Sequence, residues 1–207
     1  MELIKALRYS LRVIFHPFDG FWRLKHEKSG NLMSSMVLLA LMLLTHIIRS
    51  YSTGYLYTNS SPEDLRLLQL TATVLLPFVL WCVANWCLTT LMSGEGSMRD
   101  IIIATAYALT PMILLNIPLT ALSLFLTLDE QAYFTFINSL SMVWSGLLLF
   151  FGMMVTHQYE FGKTMFTTVL TLLAMAIIVF LAVLMVNLLQ QVIQFGYSLY
   201  KEIAYRL

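Results

Sequence analysis

The sequence predicts an all-α integral membrane protein: a five-transmembrane-helix bundle with an N-terminal amphipathic interfacial helix and an interfacial C-terminal helix. Three observations predict it. Of the 207 residues, 59% are hydrophobic and only 11% are charged, against roughly a quarter charged in an average soluble domain. A folded chain of this size leaves much of its surface exposed, so this composition is stable only with lipid as the solvent. Charge-free runs cover 32–48, 67–94, 101–128, 131–156 and 164–200, and a helix needs about 20 residues to cross the hydrocarbon core. Finally, the opening stretch MELIKALRYSLRVIF distributes its apolar and basic residues at helical spacing.

In that stretch Leu3, Ile4, Leu7, Leu11, Ile14, Phe15 and Phe18 share one helix face, while Lys5, Arg8 and Arg12 share another. Residues 1–30 therefore read as a cytoplasmic basic segment lying in an anionic leaflet, with Lys5, Arg8, Arg12, Phe15 and Trp22 at the membrane surface. Docking on a partner protein is the alternative. Charges at Glu2, Lys5, Arg8 and Arg12 interrupt any h-region, so no secretory signal is expected.

The membrane domain is expected over 31–190, with spans at about 31–50, 67–92, 101–127, 133–157 and 164–188. The last charge-free run is too long for one crossing and too short for two with a turn. An interfacial helix is therefore expected over 189–207, where Leu189, Val192, Ile193, Gly196, Leu199, Tyr200 and Ile203 recur against Gln190, Gln191, Gln194, Lys201 and Glu202. Five spans put the termini on opposite sides. Six of the twelve Lys and Arg precede the first span (Lys5, Arg8, Arg12, Arg23, Lys25, Lys28). Adding Arg99 and Lys163 gives eight on that side, against Arg49, Arg66, Lys201 and Arg206 on the other, with the loop at 129–130 carrying neither. Cytoplasmic loops are the basic ones, so the N-terminus is expected inside and the C-terminus outside.

The stretch SGEGSMRDIIIATAYALTP, residues 93–111, breaks the apolar pattern. Its first half reads as a turn in which Ser97 caps the third span and Asp100 completes a capping box. Together with THQYEFGK at 156–163 it is a candidate contact surface. Within the third span, Pro111 frees the carbonyl of Tyr107 and Pro118 frees that of Leu114. Freed carbonyls in lipid must be paired, so this side is expected to face the bundle, with Thr110 and Asn116 as candidate partners. Cys82 and Cys87 fall on different helix faces and read as small buried apolar residues.

No metal, cofactor or nucleic-acid motif stands out. His157 and Glu160 form H-x-x-E across a helix end, without a second histidine near. A lipid-modifying enzyme built on this pair requires the two side chains to converge. No Asp, Glu, Lys or Arg lies deep in a span, as a transport path would show. Asn85 and Thr89 share a face with Trp81 and read as interhelical hydrogen-bonding residues.

These stretches resemble the Yip-domain (Ypt-interacting protein) family. Residues 93–111 resemble its G-x-G…Y-A-L-x-P signature, and VWSGLLLFFGMMVTHQYEFGKT resembles its fourth span and exit. HPFDGFWRLKHEKSGN resembles the segment before the first span of bacterial members. The matching positions are Gly94, Gly96, Asp100, Tyr107, Pro111, Trp144, His157, Gly162 and Lys163. The resemblance implies structural and contact roles for them, and Glu160 lies among them. Eukaryotic relatives are five-span proteins of the endoplasmic reticulum and Golgi that engage Rab-type GTPases through a long N-terminal region. With about 30 residues there, this chain is more similar to bacterial plasma-membrane members, some of which accompany carbohydrate ABC-importer permeases. The expectation is a non-enzymatic membrane scaffold or accessory protein that binds another membrane-protein complex or itself, shapes the bilayer, or does both. The alternative is a small transporter or channel gated at the Pro111–Pro118 break.

Overall fold

The structure, a computed structural model, describes residues 2–27, 30–52, 67–123 and 130–206. All regular structure among them is helical: α1 (Glu2–Phe15), α2 (Pro17–His26), α3 (Leu32–Ser52), α4 (Leu67–Leu91), α5 (Met98–Ala108), α6 (Thr110–Ser123), α7 (Gln131–His157) and α8 (Phe161–Arg206). Five stretches are long and apolar enough to cross a membrane: Leu32–Tyr51, Leu67–Leu91, Met98–Ser123, Gln131–His157 and Phe161–Glu202. Each overlaps one of the five charge-free runs. Arg66, Lys28 and Asp129, and the side chains of Lys5 and Arg206, lie outside the described residues.

The third span is the axis of the bundle. Its first half, α5, packs on α7, α3 and α4, while its second half, α6, packs on α7 and α3. Ile101 and the run Ile103–Ala108 are buried. The span breaks at Leu109, so α5 and α6 are separate helices. The break is where Pro111 denies Tyr107 a backbone donor, and Thr110 Oγ1 supplies one, donating to the Tyr107 carbonyl at 2.7 Å. Tyr107 and Pro111 face inward as expected. Pro118 does not. The inward face of α6 carries Ile113, Asn116, Thr120 and Ser123, and position 118 falls on the opposite side and is exposed, whereas Pro111 is buried in the helix's first turn.

The N-terminal segment is two helices with an elbow at His16, where Pro17 starts α2. Its apolar face does not simply meet lipid. Val13, Ile14, Phe21 and Leu24 belong to the protein's own core, and α2 lies along α7. Leu11, Phe15, Phe18 and Trp22 remain exposed. Gly152 of α7 is where this contact is closest: a Cβ there would stand 3.0 Å from the Phe21 ring. Arg8 is exposed, while Arg12 pairs with Asp19 across the elbow at 3.1 Å, and Arg23 pairs with the same carboxylate at 3.0 Å.

The last helix runs from Phe161 to Arg206 without a break at 188–189. Its early threonines Thr164, Thr167 and Thr171 are buried, and later positions touch α4 near Leu76 and Leu80. Cys82 is buried, but Cys87 is exposed on the other side of α4, so only the first behaves as a core residue; both are free thiols.

Candidate functional site

The site forms at the end of the bundle where α4 turns into α5 and α7 turns into α8. Both turns are made by left-handed residues. Ser93 has φ 57° and Gln158 φ 54°, a conformation that ends helices by pairing their last carbonyls. The Gly94 amide accordingly donates to the Thr89 carbonyl at 2.8 Å, and the Tyr159 amide to that of Met154 at 3.1 Å. The new helix then starts on a complete capping box. Ser97 N donates to Asp100 Oδ2 at 3.0 Å, and Asp100 N donates to Ser97 Oγ at 3.3 Å. An aspartate serves here in place of the usual glutamate, as the spacing predicts.

The two turns close on His157, which is 2% exposed. Its Nε2 lies 3.0 Å from Asn85 Oδ1, and Asn85 Nδ2 donates to Thr171 Oγ1 at 3.5 Å. Thr171 Oγ1 in turn donates to the Thr167 carbonyl at 2.7 Å. With the amide so oriented, the ring proton sits on Nε2, and one polar chain joins α7, α4 and α8. Asn85 is thus the interhelical hydrogen-bonding residue its position suggested, whereas the Thr89 hydroxyl donates to the Asn85 carbonyl of its own helix at 2.7 Å. His157 Nδ1 is buried without a hydrogen-bond partner among the described residues. It presses on the glycine turn: a Cβ on Gly94 would fall 2.7 Å from Nδ1, and one on Gly96 2.9 Å.

Tyr159 covers the other side. Its ring stacks on His157 with centroids 5.4 Å apart, and its hydroxyl donates to the Met92 carbonyl at 3.1 Å. Burial raises the pKa of this phenol, which keeps it a donor. Lys163 Nζ sits 4.0 Å above the same ring, a cation–π contact. At the rim, Lys25 of α2 donates to Glu95 at 3.1 Å, and Arg99 donates to Asn31 at 3.3 Å. The N-terminal helices are therefore fastened to the 93–100 turn.

Gly94, Gly96, Asp100, His157 and Lys163 thus come together, with Tyr107 and Pro111 buried along the third span beneath them. Three residues fall outside this cluster. Trp144 is exposed on α7, Gly162 is exposed with nothing within 4 Å of where its Cβ would be, and Glu160 is exposed. His157 and Glu160 do not form an acid–base pair, since one is sealed in the bundle and the other faces out.

A second cluster lies at the opposite end. Arg49 Nη1 donates to Asn138 Oδ1 at 2.7 Å and Asn116 Oδ1 at 3.1 Å, with its guanidinium 5.8 Å from the centre of the Phe134 ring. It joins α3, α6 and α7. Asn116 therefore receives an arginine and does not cap a freed carbonyl. The signal for this was present in Asn116 and Asn138, two amides in apolar runs, but their partner was hidden by Arg49 standing at a span end.

No curated protein and no solved structure matches the chain. The family model of the Yip1 domain matches residues 11–184, which takes in the elbow, both turns, His157 and the buried threonines of α8, and the chain belongs to the Yip1 domain family.

Proposed function

We propose that this Yip1-domain protein is a non-enzymatic scaffold or accessory protein that binds another membrane-protein complex through the surface around residues 93–100 and 156–163. The observation that carries this reading is the fusion of the two turns over a buried histidine. It gives a rigid base to the exposed Ser93, Glu95, Arg99, Gln158, Glu160 and Phe161. A rigid, mixed apolar and charged patch outside the spans suits a partner's loop. The basic N-terminal helices tied to it suit an anionic leaflet on the same side. This side is the cytoplasmic one in our reading, with the C-terminus outside, in a bacterial plasma membrane. A permease complex of a carbohydrate importer is a fitting partner class.

The test is mild crosslinking in the native membrane followed by mass spectrometry of what co-purifies. A stoichiometric membrane complex that is lost on Phe161→Asp is the expected result. Recovery of lipid and copies of this chain alone overturns the reading.

A further inference from the structure

Two apolar hollows lie side by side between α3 and α6. One, of about 470 Å³, is walled by Leu38, Ile113 and Leu114 and reaches Leu11 of α1. The other, of about 280 Å³, is walled by Leu44, Ile48 and Ala121. Leu41 and Ile117 line both, so the two form one trough. From Leu38 to Ile48 it follows α3 for ten residues, roughly 15 Å of helix. Both helices belong to candidate spans, so the trough opens sideways into the bilayer.

The three threonine hydroxyls in its walls are already used. Thr45 Oγ1 donates to the Leu41 carbonyl at 2.8 Å, Thr110 Oγ1 to that of Tyr107 at 2.7 Å, and Thr120 Oγ1 to that of Asn116 at 2.8 Å. Each donor is turned back onto its own helix, so the walls select an apolar occupant over a polar solute. They also disfavour a partner helix. Close helix contacts in lipid are built on small residues. Here Ser10, Thr45, Thr110 and Thr120 are buried, and apart from Ala121 the exposed wall residues are the larger Leu11, Leu44, Ile48, Leu114, Ile117 and Pro118. A narrow, flexible chain fits it. Beyond the end at Leu11, Arg8 is exposed three residues earlier on α1, at the edge of the basic face that adjoins the apolar one.

We propose that the α3–α6 trough binds one acyl chain of an anionic phospholipid, whose headgroup phosphate meets Arg8 of α1. The amphipathic helix then acts as the lip of a lipid site as well as part of the bundle.

The test uses the full chain in vesicles of phosphatidylcholine containing phosphatidylglycerol with a photoactivatable group on its acyl chain. Crosslinked peptides are identified by mass spectrometry. Labelling concentrated at Leu41, Leu114 and Ile117, above that of exposed α7 positions such as Met142 and Val143, is the expected result. An equivalent phosphatidylcholine probe should label the trough less by about fivefold, the worth of one arginine near the surface. Arg8→Gln should remove that preference while leaving the chain contacts. Ile117→Trp should abolish trough labelling, and native mass spectrometry of lipids retained by the unmodified protein provides a readout that needs no variant to fold. Labelling no higher than on α7 overturns the site, as does equal labelling by the two lipids. Crosslinking of Leu41→Cys between two copies overturns it in favour of self-association.

Discussion

At the scale of the residue, the glycines of the shared signature separate into two kinds. Gly94 and Gly96 are required by close approach, because His157 Nδ1 occupies the space a side chain would need. Gly162 has open space around it. We expect Gly94→Ala or Gly96→Ala to cost about 1–3 kcal/mol, the usual range for overpacking a filled site. Gly162→Ala should change stability by less than about 0.5 kcal/mol, as exposed substitutions do. Unfolding in mixed micelles checks both. Sequence alone gave these three glycines equal standing, because a motif records spacing but not which neighbour fills the space. The capping box was legible, since its partners lie three residues apart. The Arg49 cluster was not, since its partners lie 67 and 89 positions away.

At the scale of the element, the third span shows how a proline is accommodated in lipid. Pro111 removes the donor to Tyr107, and Thr110 replaces it from one residue away. This predicts a coupled pair. Thr110→Val should cost about 1 kcal/mol, the net worth of a buried hydrogen bond. In a Pro111→Ala background the restored amide serves Tyr107, so the same change should cost little. A double-mutant cycle on unfolding free energy measures the difference, and additivity would remove the role assigned to Thr110. The weak point was legible in the sequence, and so was its partner. The outward position of Pro118 was not, because the inward face of α6 is set by Ile113, Asn116, Thr120 and Ser123, while Pro111 is buried by its place in the first turn and not by sharing that face. The N-terminal helices show a related limit. Amphipathicity identified an apolar face but could not say that Val13, Ile14, Phe21 and Leu24 meet protein.

At the scale of the whole molecule, the elbow between α1 and α2 carries two groups outside the spans, Asp19 and Tyr9, whose ionisation is displaced on folding. It therefore makes stability depend on pH at both ends of the scale. The Arg23 hydrogen bond, with further help from Arg12, holds the Asp19 carboxyl below its ordinary pKa despite some desolvation. A lowered folded value means the stabilisation is complete above the ordinary carboxylate pKa of about 3.9 and fades as pH falls through the folded one. Tyr9 bounds the other side. Its hydroxyl donates to the Gly20 carbonyl at 2.8 Å, and burial pushes its pKa up to about 12. That contribution is complete below the ordinary tyrosine value near 10 and is lost as pH rises through about 12. The stability gap between the unmodified protein and Asp19→Asn should be constant from about pH 5 to 9 and close in stronger acid. A gap that changes between pH 6 and 8 would assign the effect to another group.

The overall architecture was legible from run lengths, because lipid forces each charge-free run into a helix. The course of α8 carries a consequence of its own. Between Lys163 and Gln190 it has 26 residues without a charge or a glutamine, roughly 39 Å of helix against a hydrocarbon core of about 30 Å. Such a helix meets a thin membrane by leaning and a thicker one by standing upright. Because Thr171 is tied through Asn85 to His157, which packs on Gly94, a change of lean is expected to reach the turn at Gly94, and amide exchange of that turn in bilayers of two thicknesses should differ.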